Sequence, residues 1–300
     1  MAIEDNSHEA WVRLTASLSE HNARELALVL EASGIEHRAT RGLLGWDLHV
    51  PARVSERAAE QLAIYLRENA ARPAVKPPPA MIGRGWTGVV VYAAVLMLVA
   101  VCVRQYAFGF DWLASGRMDA GELRQGQWWR AVTALTIHLD LDHLGGNLAF
   151  GSFFAYFVAR YFGAGLGWFA ILMSGALGNL LNGLVQTGDH RSIGASTAVF
   201  GALALLTANT WRHGFSSATS WRARIAPVFA GVALLAFTGT GGENTDIGAH
   251  LTGFVAGFVL GLTIIRLRLI ARGPGLQKAA GWSAAGLLAL AWAAALSLGP

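Results

Sequence analysis

Residues Trp86 to Val103 read WTGVVVYAAVLMLVAVCV and carry no charged side chain. At about 1.5 Å of rise per helical residue, a run of this length can cross most of the hydrocarbon core of a bilayer. Comparable runs recur, and we predict seven membrane spans: Trp86 to Val103, Leu144 to Val158, Phe162 to Val185, Ile193 to Trp211, Ile225 to Thr240, Ile247 to Ile265 and Ala279 to Gly299. The second and fifth runs are short enough for buried soluble helices, but their place in the series favours spanning.

The composition agrees with a membrane protein, because 54% of the residues are hydrophobic and only 14% are charged. No basic patch interleaved with aromatic residues indicates binding to nucleic acid. Cys102 is the only cysteine, so no intramolecular disulfide can form. Nothing before Trp86 has the apolar core of a cleaved signal peptide, and the first span is therefore expected to carry the targeting information.

The distribution of Lys and Arg predicts the orientation of the spans. With a cytoplasmic N-terminus, eleven basic residues near span ends lie inside and five lie outside. Cytoplasmic loops of membrane proteins carry the excess of Lys and Arg. We therefore expect a cytoplasmic N-terminus and a C-terminus on the outer side.

Residues 1–71 differ from the rest by their mixed charge and moderate apolar content. Alternating segments such as Trp11 to Leu18 and Trp46 to Val50 predict strands, and two helical patterns lie in Ala23 to Ala32 and Ser55 to Asn69. The order predicted for this region is βαββα. Ser19 and Asn22 are possible caps of the first helix, and Gly34 is a stop signal. We predict a small cytoplasmic α+β domain, which loosely resembles ferredoxin-like regulatory domains. Residues 72–81, rich in proline, are expected to be a semi-rigid linker.

The segment from Arg104 to Leu141 is too polar to cross the membrane. Tryptophans favour the boundary between water and lipid, and this segment contains Trp112, Trp128 and Trp129. We expect a folded external loop that lies partly in the outer interface.

Polar residues stand near the start of every span that enters from the outer side. Ser196 and His250 each lie about three residues into their predicted spans, and His143 and Asn147 begin the second one. A histidine can take the proton of a serine near neutral pH, which makes the serine a nucleophile. His143 and Asn147 are four residues apart, share one helical face and can donate hydrogen bonds to an oxyanion. The backbone N–H of Ser196 is a further candidate donor.

Small residues would let the helices of the serine and the histidine approach each other. Gly253, Gly257 and Gly261 follow His250 on its own face, and Gly194 and Gly201 flank Ser196. We expect these glycines to form a close helix contact.

The motifs resemble those of the rhomboid family of intramembrane serine proteases. The run Gly194-Ala195-Ser196-Thr197-Ala198-Val199-Phe200-Gly201 is similar to the family's nucleophile motif, and Ala249-His250-Leu251-Thr252-Gly253 with Gly257 is similar to its base motif. The spacing of His138, His143 and Asn147 resembles the motif of its second span, and Trp129-Arg130 resembles the pair in its first external loop.

The resemblance implies a bacterial-type rhomboid domain of six spans at residues 82–270, with an additional C-terminal span at 271–300. It implies a serine endopeptidase with Ser196 as nucleophile, His250 as base and His143 with Asn147 as oxyanion donors. His138, Trp129, Arg130, Gly194, Gly253 and Gly257 would support the site. The implied substrates are transmembrane proteins, cleaved near the outer end of a membrane helix. No metal or organic cofactor is implied, the expected location is the bacterial inner membrane, and the oligomeric state stays open.

Two residues depart from the family pattern. Thr197 stands where the family usually has glycine, and its branched side chain is expected to narrow the space beside the nucleophile. Ala134 stands where the family often has a histidine, and its methyl group can neither donate nor accept a hydrogen bond.

Other interpretations remain open at this point. Asp246 lies four residues before His250 and could orient it in a triad. The glycines of its loop favour an exposed, unpaired aspartate equally, and a dyad is the simpler interpretation. Asn179 and Asn182 are expected to bond between helices rather than to touch substrate. Three histidines could bind zinc, but the His-Glu-x-x-His spacing of membrane metalloproteases is missing. A non-catalytic relative that binds membrane helices is the main rival, and a transporter is a weaker one.

Overall fold

The computed structural model describes residues 10–69, 81–83, 85–215, 222, 225–226, 228–233 and 246–299. The chain divides into two compact units, Met1–Val75 and Lys76–Pro300. The division falls within the predicted linker, of which residues 72–80 lie outside the described residues. The domain boundaries therefore remain predictions.

The first unit is a small α+β fold. Its elements are β1 (Trp11–Leu18), α1 (Glu20–Ala32), β2 (Arg38–Arg41), β3 (Trp46–Pro51) and α2 (Ser55–Asn69). The sheet is antiparallel with the strand order β1-β3-β2. The predicted strands and helices are all found, in the predicted order, while the likeness to ferredoxin-like domains stays a prediction.

The capping of α1 follows elementary helix chemistry. The side chain of Ser19 accepts a hydrogen bond from the backbone N–H of Asn22 at 3.2 Å, so Ser19 is the cap and Asn22 is part of the helix. Gly34 adopts a φ of +64°, and its neighbour Ile35 donates back to the carbonyl of Leu30. The helix buries Leu26 and Leu30 against Leu48 and other apolar residues of the sheet and of α2.

The second unit contains six long helices among its described residues, with shorter elements between the first two of them and one short strand before the fourth. In chain order the elements are α3 (Trp86–Gln105), α4 (Trp112–Gly116), β4 (Met118–Asp119), α5 (Ala120–Arg124), α6 (Arg130–Thr133), α7 (Leu141–Phe162), α8 (Ala164–Val185), β5 (Arg191–Ser192), α9 (Ser196–Phe215), α10 (Ile247–Arg266) and α11 (Pro274–Leu298).

Four of these helices, α3, α8, α10 and α11, are long and apolar enough to cross a membrane. The chain is thus an integral, multi-pass membrane protein. α7 and α9, which are 22 and 20 residues long, occupy the positions of the second and fourth predicted spans. Half of the fifth predicted span, Ile225 to Thr240, lies outside the described residues.

The glycines of α10 lie where that helix meets α9. A Cβ built on Gly253 would be 2.3 Å from the carbonyl oxygen of Thr197, and one on Gly257 would be 2.3 Å from that of Gly201. Gly261 faces Ala208 in the same way, at 2.8 Å from its Cβ. Backbones this close exclude any side chain, so the predicted stripe of small residues is the contact surface between these two helices.

The polar segment between α3 and α7 is folded and partly buried. β4 pairs with β5, and Asp119 forms a salt bridge of 3.0 Å with Arg191 across this small ribbon. Trp128 is 47% exposed, but Trp129 is only 5% exposed. The expectation that the tryptophans of this loop lie at the lipid boundary therefore does not hold for Trp129, which is packed into the protein.

Candidate active site

Ser196 and His250 form a hydrogen-bonded pair between α9 and α10. The serine Oγ lies 2.8 Å from Nε2 of the histidine. His250 is 7% exposed, and its ring packs against Phe200 with the ring centroids 4.5 Å apart. Ser196 is partly exposed. A serine hydroxyl at this distance from an imidazole nitrogen has the geometry of a nucleophile and its base.

The start of α9 corrects the predicted position of the serine. The fourth span was expected to begin at Ile193, but α9 begins at Ser196 itself, so the serine is the first residue of its helix. Arg191 and Ser192 are paired with β4, and Gly194 has a φ of +113°, a conformation that side-chain-bearing residues rarely adopt. Because of these two features the helix cannot begin before residue 195, and Ser196 lies at its N-terminus. His250, by contrast, is the fourth residue of α10, as predicted.

His143 and Asn147 lie beside the loop that precedes Ser196. A Cβ built on Gly194 would be 2.5 Å from Cε1 and Nε2 of His143 and 3.8 Å from Nδ2 of Asn147. Asn147 is 6% exposed and donates one amide N–H to the carbonyl of His143 at 3.0 Å. The structure thus brings the polar residues of α7 to the loop that precedes Ser196, and only glycine fits at position 194.

His138 braces the same loop from the segment before α7. Its Nε2 accepts a hydrogen bond from the backbone N–H of Ala195 at 3.3 Å, and the carbonyl of Ala134 accepts one from the N–H of Gly194 at 2.9 Å. The ring of His138 packs edge-on against His143, with the centroids 4.9 Å apart. The two residues before Ser196 are therefore held by consecutive backbone bonds.

The electrostatics of His138 suit an acceptor. Burial, and to a smaller degree the neighbouring His143, lowers the pKa of His138 to about 4. The ring is neutral at neutral pH, which leaves Nε2 able to accept the N–H of Ala195.

Asp246 has a structural role that the sequence did not reveal. One carboxylate oxygen accepts the backbone N–H of Ala249 at 2.9 Å and so caps α10. The other oxygen accepts hydrogen bonds from Asn182 and His190, each at 2.8 Å. The carboxylate is committed to these partners, which favours a Ser–His dyad over a triad. The predicted alternative of an exposed, unpaired aspartate is wrong.

Trp129 and Arg130 belong to the folded loop. Arg130 is 2% exposed and donates to the carbonyls of Ala114 and Arg117, both at 2.9 Å, and to the side chain of Gln127 at 2.7 Å. A guanidinium has enough donors to satisfy several carbonyls at once. Arg130 therefore holds the loop together.

Thr197, expected to crowd the nucleophile, directs its methyl group into a helix interface. Its Cγ2 lies 2.8 Å from where a Cβ would stand on Gly178 of α8, and equally close to that of Gly253 of α10. The side chain is 3% exposed. Its branched bulk is thus accommodated between two glycines.

The remaining predicted polar residues connect neighbouring elements. Asn179 donates to the carbonyl of Ala131 at 3.0 Å, and Asn182 binds Asp246. Both confirm the expectation that they bond between helices. Within the described part of the chain, no group of three or more His, Cys, Asp or Glu side chains could hold a metal ion.

Several residues near the site were missed by sequence reasoning. His190 binds Asp246, and Tyr92 of α3 donates its hydroxyl to the carbonyl of Asn147 at 2.8 Å. Gly151, one turn further along α7, leaves room for that hydroxyl. Only the isolated polar character of these residues could have singled them out.

Part of the chain is similar to known proteins. The family model of the rhomboid domain matches residues 125–267. A putative rhomboid protease of Bacillus subtilis, YdcA, is 26% identical over 47% of this chain and 69% of its own length. Rhomboid-like protease 1 of Toxoplasma gondii is 28% identical over 47% of this chain and 48% of its own length. The rhomboid protease GluP of Bacillus subtilis is 33% identical over 31% of this chain and 18% of its own length.

The protein is therefore a helical, multi-pass membrane protein with a Ser–His pair where two of its long helices meet. Residues 125–267 of the chain match the rhomboid domain, and the relatives that the chain resembles carry rhomboid names. The match contains α7 to α10 and the loop bearing Arg130, while α3, α11 and the first unit lie outside it.

Proposed function

We propose that this protein is an intramembrane serine endopeptidase that uses a dyad of Ser196 and His250. The observation that carries the proposal is the 2.8 Å distance between the serine Oγ and the histidine Nε2. The relatives named as rhomboid proteases support the same reaction class.

In the proposed reaction, the Oγ of Ser196 attacks the carbonyl carbon of a peptide bond while Nε2 of His250 takes the hydroxyl proton. The tetrahedral intermediate collapses as the C–N bond breaks, and the histidine returns the proton to the leaving amine. Water then attacks the acyl-enzyme with the same histidine as base. Ser196 leaves as the free hydroxyl.

The oxyanion would be stabilised by donors from α7 and from the start of α9. His143 and Asn147 lie beside Gly194, two residues before the nucleophile. Asn147 uses one amide N–H on the carbonyl of His143, and its nitrogen has a second one to offer. The backbone N–H of Ser196 is at the positive end of α9. His138, Trp129, Arg130, Gly194, Gly253 and Gly257 are proposed to support this constellation.

The proposed substrates are transmembrane proteins in the same bilayer. Ser196, His143 and His250 all lie in the first four residues of their helices, so the proposed site is near one membrane surface. With the N-terminus in the cytoplasm of a bacterial cell, that surface is the outer face of the inner membrane. Cleavage is then expected near the outer end of a substrate helix.

The alternative is an inactive rhomboid-like protein that binds membrane helices. Thr197 and Ala134 were its sequence hints. The position of the Thr197 methyl group between Gly178 and Gly253 supports the active form, because these two glycines leave room for the branched side chain. The backbone carbonyl of Ala134 accepts a hydrogen bond from the N–H of Gly194, and this bond does not depend on which side chain stands at position 134.

The test is cleavage of a model single-span substrate by the purified full-length protein in liposomes. Wild type is expected to cleave, while Ser196→Ala and His250→Ala are expected to lose at least about a thousandfold in rate. Equal cleavage by all three proteins would refute the dyad. Absence of cleavage by wild type across a panel of single-span substrates, combined with binding to them, would favour the alternative.

A further inference from the structure

The C-terminal helix α11 contacts the segment that holds Gly194 and Ala195, the two residues before Ser196. Trp292 of α11 is 9% exposed and donates its indole N–H to the hydroxyl of Thr136 at 3.1 Å. The ring packs on Trp112 with centroids 4.8 Å apart and lies close to Gly116, where a Cβ would be 2.6 Å from it. One tryptophan therefore joins α11 to both ends of the folded loop.

Thr136 belongs to a short segment, residues 134–138, that clamps the residues before Ser196. The carbonyl of Ala134 binds the N–H of Gly194, and Nε2 of His138 binds the N–H of Ala195. Thr136 lies between the two clamping residues, is 5% exposed, and donates its own hydroxyl hydrogen to the carbonyl of Thr133 at 2.8 Å. Its oxygen is thus the point where α11 reaches the clamp.

α11 is fixed at its other end as well, so it can act as a rigid support. Gln277 accepts the backbone N–H of Leu166 at 3.0 Å and donates to the carbonyl of Phe162 at 2.9 Å. These contacts bridge the junction of α7 and α8. The helix is therefore tied to the bundle through side-chain hydrogen bonds near both ends.

From these contacts we infer that Trp292 is a positioning residue, which acts through Thr136 and the 134–138 clamp to hold Ser196 for attack. The inference rests on the proposed function for its catalytic consequence. It assigns to α11, outside the matched rhomboid domain, a part in the working geometry of the site.

The test compares full-length wild type with Trp292→Phe, Thr136→Val and the double variant. Thr136→Ser keeps the hydroxyl, and Trp282→Phe is a matched control because Trp282 lies on the same helix but is 78% exposed. Two readouts are used: hydrogen exchange of the peptide that contains Gly194 and Ala195, and kcat and KM for a single-span substrate. Ser196→Ala gives the background rate.

Trp292→Phe and Thr136→Val are each expected to speed exchange at 194–195 and to lower kcat about three- to tenfold, with KM unchanged. The double variant should be no slower than the slower single one, because both changes remove the same bond. Thr136→Ser and Trp282→Phe should match wild type. Unchanged exchange in Trp292→Phe, or a double variant whose losses multiply, would overturn the inference. A third outcome is faster exchange in the Trp292 and Thr136 variants while wild type cleaves no faster than Ser196→Ala. It would refute the proposed function but support the structural role of residues 134–138.

Discussion

Gly253 lies so close to Thr197 that a Cβ on the glycine would be 2.3 Å from the carbonyl oxygen of the threonine. This contact sets the separation of α9 and α10 within one residue of Ser196. We expect Gly253→Ala to force the two helices apart, lowering the free energy of unfolding by about 1–3 kcal/mol and abolishing most activity. The thermal midpoint in detergent and the cleavage rate measure both effects.

The control for this change is Gly286→Ala on α11, where a Cβ would meet nothing within 4 Å. That variant should be as stable as wild type or slightly more stable, because alanine favours helix. A Gly253→Ala protein with wild-type stability and activity would show that the helices can separate without harm.

Gly194 combines a positive φ with a close approach to His143. Gly194→Ala is therefore expected to suffer both backbone strain and a clash, and to be inactive. Gly109→Ala separates the two effects, since Gly109 has a φ of +79° but no neighbour within 4 Å of a built Cβ. The loss in thermal midpoint should be clearly greater for Gly194→Ala. Equal losses would mean that the contact with His143 contributes nothing.

His138 predicts a pH dependence of stability. Its pKa is lowered to about 4 in the folded protein from an ordinary value of 6.5, so the unfolded chain binds more protons between these values. The free energy of unfolding is therefore independent of this group above pH 6.5 and decreases as the pH falls from 6.5 towards 4. We expect the thermal midpoint to decrease between pH 7 and 5 and this decrease to be smaller in His138→Gln. Identical pH profiles for the two proteins would exclude His138 as the source.

Asp246 distinguishes a capping residue from a member of a triad. Asp246→Ala removes the cap of α10 and the bonds to Asn182 and His190, and should lower stability by about 1–3 kcal/mol. Asp246→Asn keeps an oxygen for the cap and should retain at least about one tenth of the activity, whereas loss of a true triad aspartate costs about 10⁴ in rate. Asp189→Asn, at an exposed aspartate, is the control and should behave as wild type. A loss of about 10⁴ in Asp246→Asn would contradict the dyad.

The helices of the second unit could be predicted because apolar runs leave few alternatives. α10, predicted at Ile247 to Ile265, ends only one residue later. The start of α9 was predicted three residues too early, because its first residue depends on the pairing of Arg191 with Asp119, 72 residues away in the sequence. Long-range pairings of this kind have no local signal.

The candidate catalytic residues could be singled out from the sequence because polar side chains are rare in apolar runs. The residues that hold them in place could not be singled out, since a role such as that of Asp246 depends on partners 56 and 64 residues away. Likewise, the burial of Trp129 and the direction of the Thr197 methyl group depend on packing between elements that sequence patterns do not bring together.

The central claim is that His250 activates Ser196, and labelling by a fluorophosphonate measures this directly. The probe forms a covalent bond with an activated serine, and its site can be mapped by mass spectrometry of the digested protein. We predict one adduct, on Ser196, in wild type and a rate at least about a hundredfold lower in His250→Ala. Labelling of His250→Ala at the wild-type rate, or an adduct on another residue, would contradict the account.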